Sequence, residues 1–522
     1  MSQAVEKVLF LNPPGKVWVY SDGTPSSRKH SMPPIGIAYI AANMRRHGYR
    51  AAIMDMQIEG YEHEVYEHPF IVYGSPFADV QARIEAEKPD MIGISAMFSM
   101  LFPQISELCA QIKQAFPGMP IVLGGYHVTG APGETMKDPN IDYVVPFEAE
   151  ENFVVFLNAL NGKMPITDVP HLWWRDEDGG VQHNRSGAKP KAEGDGWSYF
   201  LRKDTGAPMD LDGLPFPAWD LVPLEQYWEK SVRIGGGDIM RARYLVMTSS
   251  RGCPHVCDFC SSPLISGYKG YRMRTVESVV AEVRWLVDTL GVEEIHFLDD
   301  NFHVGKDRVK ELLRIFIRDF PDTYFCVSGG SEINLLDDET IDLMAEAKFY
   351  KVLLSVESGD PEVQQEKVDK KVKLDRAWEV IERFKKRGVE VRVLFMIGFP
   401  NETRAQIDRT VDMATSMDLD DFQLSIVTPM PGTPLFDYCK ENDLFIENFS
   451  INDIRFSKPN LKLPDTTPDE LENLRRTVWK ESFEARRGRL LVEGGAERKK
   501  KFLKSEEYER VAFNSVTQSQ AK

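Results

Sequence analysis

The chain has 522 residues with 63 basic and 80 acidic side chains, a formal net charge of −17, and so acidic a surface repels phosphate backbones and argues against a nucleic-acid partner. Hydrophobic content of 42% and charged content of 27% are those of an ordinary globular protein, long enough for two or three cores. No run of roughly 18 or more apolar residues is present, so no membrane span is expected. The N-terminus, MSQAVEKVLFLNPP, has Glu6 and Lys7 beside a short apolar run and no small-residue cleavage site. It reads as a first strand, not a signal peptide, and a cytoplasmic protein is expected.

In chain order, KVLFLNPP (7–14) is an apolar strand stopped by two prolines, and PPIGIAYIAANMRRHG (33–48) carries helical spacing that ends at Gly48. RAAIMD (50–55), a helix near 77–88, DMIGISAM (90–97), a helix near 101–116, PIVLGG (120–125) and DYVVPF (142–147) continue the alternation. Five short strands separated by helices predict an α/β domain over 1–160, an open parallel sheet wound as in Rossmann or flavodoxin-like folds. Ligands of such sheets lie beyond the C-terminal strand ends, which places Asn12, Ser95, Gly124 and Gly125 beside a crevice.

Residues 161–240 read as an ordered linker, with a hairpin turning at Asp178–Gly180 and a Pro-rich extended stretch, DLDGLPFPAWDLV. From Tyr244 the alternation restarts, with strands expected at 244–250, 293–300, 324–330, 351–358, 390–400 and 422–429. Six βα units over 241–435 predict a partial TIM-like (β/α)6 barrel with its chemistry at the C-terminal strand ends. The remainder, 436–522, reads as helical and charged. Its Gly494–Gly495 break precedes a polar tail expected to be disordered, in which the basic run Arg498–Lys501 reads as a solvated face.

Of six cysteines, Cys109, Cys326 and Cys439 lie scattered in apolar segments and read as small buried hydrophobes, a pattern that suits a reducing compartment. Cys253, Cys257 and Cys260 instead fall in SSRGCPHVCDFCSS, at i, i+4 and i+7, directly after the first strand of the second domain. Thiolates at these offsets can converge on one cubic 4Fe–4S cluster. Three ligands for four irons leave one iron open to chelate the amine and carboxylate of S-adenosylmethionine. A structural zinc site would need a fourth ligand; His255 sits in the loop, but no second CxxC or HxxxH pair follows.

On these residues the sequence resembles the radical S-adenosylmethionine superfamily, and in particular its branch with an N-terminal cobalamin-binding domain. The matches are CxxxCxxC with Phe259 before the last Cys, then YRMRTVESVVAEV (271–283), FLDDNF (297–302), ESGDPEV (357–363), MIGFPNET (396–403) and TPMPGTPLF (428–436). The resemblance implies that Phe259 lies near the adenine, and that Asp299, Ser328, Glu357 and Arg392 face S-adenosylmethionine. Relatives usually have Gly at Ser355 and a Gly-Cys pair near Phe349–Tyr350, departures that imply a reshaped substrate cavity.

No GxGxxG follows the first strand, which disfavours a dinucleotide. NPPG, ISAMFSM, GGYHVTG and EENF are instead similar, in order, to the cobalamin domains of that branch. By this resemblance Gly124 and Gly125 let the nucleotide tail approach the backbone, Ser95 donates a hydrogen bond, and Asn12 lies at the crevice. The Asp-x-His-x-x-Gly loop that ligates cobalt in other cobalamin proteins is missing, and His127 reads as a loop contact. Where relatives have GEGE, this chain has Phe147, Glu148, Ala149 and Glu150.

The implied reaction begins with reductive cleavage of S-adenosylmethionine to a 5′-deoxyadenosyl radical that takes a hydrogen atom from an unactivated carbon. Methylcobalamin then hands over a methyl group. C-methylation of a small molecule or peptide is therefore the first expectation, with electrons from a low-potential reductase such as flavodoxin or ferredoxin. A cyclase or rearrangement enzyme, like the anaerobic magnesium-protoporphyrin ester cyclase, is the alternative within the same architecture. A cobalamin sensor or electron carrier without turnover is the alternative outside catalysis. No residue is singled out as catalytic beyond the cofactor contacts.

Overall fold

The computed structural model describes residues 4–19, 23, 25, 29–184, 210–230, 239–266, 270–417 and 419–493. Arg50–Asp55, Lys7–Asn12, Met91–Ser95, Ile121–Gly124 and Tyr143–Val145 lie side by side and parallel. Numbered along the chain, this is the 2-1-3-4-5 order of flavodoxin-like sheets. Lys7–Asn12 is central and reads as an unbroken apolar run, as a strand covered on both faces must. Val8 and Phe10 pack toward one core, Leu9 and Leu11 toward the other.

Trp173–Arg175 pairs antiparallel with Tyr143–Val145, and Val181–His183 pairs antiparallel in turn, so the hairpin extends this sheet to seven strands. The linker expected from residue 161 therefore gives its first part to the N-terminal sheet; two Trp on a short strand bury more when paired at a sheet edge than when exposed in a connection. Residues 210–230 then run against both halves. Ala218 N–H donates to Ala38 O at 3.0 Å, Trp228 Nε1 donates to Tyr244 O at 2.8 Å, and Trp219 and Tyr227 are fully buried. A three-stranded antiparallel sheet of Gly15–Trp18, Phe70–Tyr73 and Glu64–Glu67 was not expected; its charged 62–68 stretch hides the strand alternation.

The second half forms six parallel strands in sequential order: Tyr244–Met247, Glu294–Phe297, Tyr324–Val327, Phe349–Glu357, Glu390–Ile397 and Asp421–Ile426. The first and last are the edges, so this is the open partial barrel expected. Phe297, Phe325 and Phe349 face outward and stack on one another, and Phe297 and Phe325 stack with Phe316 of the helix Lys306–Asp319. Glu294, His296, Cys326 and Ser328 alternate with them toward the lumen. Five of these six strands stop three residues short of the expected C-terminal end, because the chain there leaves the ladder to become loops.

The C-terminal helix Pro468–Glu493 packs on the sixth strand, where Arg475 Nε donates to Leu424 O at 2.9 Å. The tail expected to be disordered and the run Arg498–Lys501 lie outside the described residues. Among the described residues no helix is long and apolar enough to cross a membrane.

Candidate active site

Past the first barrel strand the chain enters a ribbon in which Ser250–Cys253 pairs antiparallel with Gly270–Met273. The cysteine loop opens from this ribbon. Asp299, buried after the second barrel strand, fastens its root: its carboxylate accepts from Ser249 N–H at 3.0 Å, from Ser249 Oγ at 2.7 Å, and from Ser250 Oγ. Asp300 accepts from Gly252 N–H at 3.0 Å. Asp299, expected to face S-adenosylmethionine, thus spends acceptor positions on three donors at the root of the loop.

The far side of the loop is held by residues with no motif to announce them. His255 Nε2 lies 2.8 Å from Glu332 and its Nδ1 3.4 Å from Asp369, so both ring nitrogens are engaged and the histidine is not an available zinc ligand. Asp369 also accepts from Val256 N–H at 3.0 Å. Cys253 and Cys257 are buried and Cys260 half-buried. Ser262 N–H points at Cys260 Sγ at 3.5 Å, and the Asn301 amide lies 4.0 Å from Cys253 Sγ. Burial pushes the thiols of Cys253 and Cys257 above their ordinary range, and that of Cys260 up to about 12. Buried thiols of this kind need cationic partners before they become thiolates.

Lys370 reaches this region and pairs with Glu357 at 3.2 Å. Burial opposes its charge, but Glu357, Cys257 and Cys260 outweigh that cost and hold the ammonium above the ordinary lysine range. Glu357 ends the fourth strand at φ +69°, beyond a register shift. A left-handed Glu is backbone strain held by its surroundings, and such strain gathers at functional sites. Phe259 packs edge-on against Phe399 at 5.6 Å, beside the turn after the fifth strand.

Ser328 and Arg392 stand deeper in the lumen. Ser328 Oγ lies 2.8 Å from His296 Nδ1, His296 Nε2 lies 2.6 Å from Glu294, and Tyr350 donates to Glu294 at 2.5 Å. Arg392 donates to Gln423 at 3.0 Å and sits three residues before the Phe395 that pairs with Glu357. Of the five residues expected at S-adenosylmethionine, Phe259, Asp299 and Glu357 thus border the cysteine loop, while Ser328 and Arg392 do not. Cys326, expected to be a plain apolar filler, belongs to the polar ladder, with Sγ 3.3 Å from Ser328 Oγ; Cys109 and Cys439 do sit in apolar clusters.

In the first domain the sheet order reverses between Lys7–Asn12 and Met91–Ser95, which opens a crevice at their ends. Asn12 donates to Asp55 at 2.9 Å, so its amide braces the neighbouring strand. Ser95 is half-buried, and Met97 and Phe98 behind it are 44% and 55% exposed. Gly125 has φ +114°, and a Cβ there would lie 2.9 Å from Ala96 backbone, so its own fold demands glycine. At Gly124 a Cβ would meet only Val145 O, at 3.5 Å, and the fold itself would tolerate a side chain. His127 is buried, stacked on Phe102 at 4.3 Å with Nδ1 3.0 Å from Ser99 Oγ, and burial lowers it to about 4. Its ring is thus engaged by Ser99 and Phe102 within its own domain.

The strand-end faces of the two domains meet. Tyr126 donates to Pro431 O at 3.0 Å, and a Cβ on Gly130 would lie 2.4 Å from that same oxygen. Glu148 and Glu150 pair with Arg251, two residues before Cys253, at 2.9 and 2.7 Å. Phe147 takes φ +66°, a left-handed position that glycine adopts without cost; its N–H is held by Thr129 Oγ1 at 2.8 Å.

Residues 26–157 match the B12 binding domain and residues 247–414 the radical SAM superfamily. The chain belongs to the cobalamin-binding radical S-adenosylmethionine enzymes. It is 28% identical to the cytidylyl-2-hydroxyethylphosphonate methyltransferase of Streptomyces wedmorensis, over 93% of this chain and 91% of that one. Its fold is that of OxsB, a cobalamin-dependent S-adenosylmethionine radical enzyme (TM-score 0.66, 13% identity, 98% of this chain and 72% of that one). It is also that of TsrM from Kitasatospora setae, a radical S-adenosylmethionine methyltransferase (TM-score 0.62, 18% identity, 84% and 76%).

The cofactors of this radical S-adenosylmethionine enzyme are a 4Fe–4S cluster, S-adenosylmethionine and cobalamin. The donor set fits the cluster: three thiols on one loop, an N–H aimed at one sulfur and a lysine close by. The crevice fits cobalamin in its reversal of strand order, its exposed apolar pair and the open space at Gly124.

Proposed function

We propose that the enzyme transfers a methyl group to an unactivated carbon of a small molecule or peptide. The apposition of the two strand-end faces carries this reading: the root of the cysteine loop and the loop after the fifth sheet strand share buried ion pairs, so a substrate between them reaches both cofactors. Likeness to a methyltransferase along 93% of the chain supports it.

Cys253, Cys257 and Cys260 would hold three corners of the cluster, Phe259 would line the adenine side, and Glu357 with Lys370 would meet the polar end of S-adenosylmethionine. When bound, the cluster with S-adenosylmethionine supplies a 5′-deoxyadenosyl radical, and cobalamin supplies a transferable methyl group. The chain's own residues orient: Asp299, Glu332 and Asp369 fix the loop, and Gly130 lets the two domains approach backbone to backbone at Pro431. We infer a flavodoxin- or ferredoxin-type reductant and a reducing, cytoplasmic setting.

The test is anaerobic reconstitution followed by incubation with methyl-labelled S-adenosylmethionine and a cell extract. Label in a carbon-bound methyl, with S-adenosylhomocysteine and 5′-deoxyadenosine formed together, is the expected result. Oxidation or ring formation without label would replace methylation by the cyclase reading. A reduced, iron-loaded protein that yields no 5′-deoxyadenosine would return the chain to a sensor or carrier.

A further inference from the structure

Arg251 and Arg272 face each other across the ribbon that carries the cysteine loop. Like charges directly opposite on an antiparallel pair are unfavourable. Two carboxylates of the other domain offset them here. Glu148 accepts from Arg251 at 2.9 Å and from Arg272 at 3.1 Å, and Glu150 lies 2.7 Å from Arg251. Exposure of the four side chains is 8%, 6%, 15% and 5% for Glu148, Glu150, Arg251 and Arg272. In such a site an ion that loses its partner is costly, so the four groups keep one arrangement. Glu148 and Glu150 flank the fifth sheet strand's end at the cobalamin side, and Arg251 lies two residues from Cys253. Docking itself has other holds, in Tyr126 and Gly130 on Pro431 and in the Arg455 guanidinium 3.3 Å over the Trp18 ring.

We propose that Glu148 and Glu150 are positioning residues, acting through Arg251 and Arg272 to couple the cobalamin crevice to the orientation of the cysteine-loop ribbon. Loading cobalamin then stiffens the ribbon, and the ribbon's position fixes the gap in which substrate sits. This rests on reading residues 253–260 as the cluster loop, which the iron content of the wild-type protein tests separately.

The experiment is hydrogen exchange over 250–253 and 270–273 in full-length reconstituted protein, with and without hydroxocobalamin. Wild type, Glu148→Gln and the charge swap Glu148→Arg/Arg272→Glu are compared, and electron paramagnetic resonance of the reduced cluster is recorded with S-adenosylmethionine. In wild type, cobalamin should slow ribbon exchange by about tenfold. Glu148→Gln should lose that response and broaden the spectrum while keeping its iron and cobalamin, and the swap should restore both. A ribbon in Glu148→Gln that still answers cobalamin as wild type does, or a swap that behaves like the single variant, overturns the proposal. Should Glu148→Gln fail to fold, Arg272→Lys takes its place: it keeps charge, loses the two-pronged contact, and should show a weakened response.

Discussion

Asp55 shows how a side chain that no motif marks can shape behaviour. It is buried, receives Tyr227 at 2.5 Å and Asn12 at 2.9 Å, and burial raises it to about 6 although both hydrogen bonds pull the other way. Its folded pKa exceeds the 3.8 of the unfolded chain, so the fold binds this proton more tightly and its charged form destabilises. The cost is absent below about pH 4 and reaches about 3 kcal/mol once pH has risen through 6. Asp55→Asn should therefore lose less stability than wild type between pH 5 and 7 in thermal unfolding; a steeper loss in the variant would contradict this. The paired glycines give a second residue-scale expectation. Gly124→Ala should leave stability within about 0.5 kcal/mol of wild type yet weaken cobalamin binding by about tenfold in a spectral titration. Gly125→Ala should instead destabilise the domain, because its Cβ meets backbone.

Among the elements, the ribbon is where reading by motif and reading by geometry part company. FLDDNF pointed to Asp299 as a ligand contact, while the structure makes it the anchor of Ser249 and Ser250. The two roles predict different defects. Asp299→Asn should lower the iron retained after reconstitution, several-fold, because one anchor becomes a donor facing two N–H or O–H donors. Loss of S-adenosylmethionine affinity with full iron content would restore the ligand role. The barrel strands and their order were legible, since apolar runs at βα spacing admit few topologies. Their ends were not, because Ser, Gly and Asp at 249–250, 299–300 and 328–331 fit either strand or loop.

Taken whole, the molecule is two α/β units facing each other by their C-terminal strand ends, with residues 210–230 packed along both. The interface holds little apolar bulk at its closest point. Gly130 against Pro431, and Gly432, whose Cβ would lie 3.1 Å from Gly130 Cα, bring backbone to backbone. Gly130→Val should push the domains apart, seen as a larger radius of gyration in small-angle scattering and faster exchange around 428–432. Unchanged scattering would show that the other contacts set the docking without this close approach.

The sequence by itself determined the α/β class, the flavodoxin-like and barrel halves and the cysteine loop, because periodicity and a three-thiol spacing are local properties of the chain; cobalamin entered only through the family resemblance of its motifs. Tertiary structure decided what surrounds that loop. Lys370, Glu332 and Asp369 come from loops 70 to 120 residues away, and Glu148 comes from another domain. Asn12 and Asp299 were found at the right strand ends but face neighbours in the fold. Strand ends tell where a side chain stands; only packing and hydrogen bonding decide which partner takes it, since that choice is made among groups far apart in sequence.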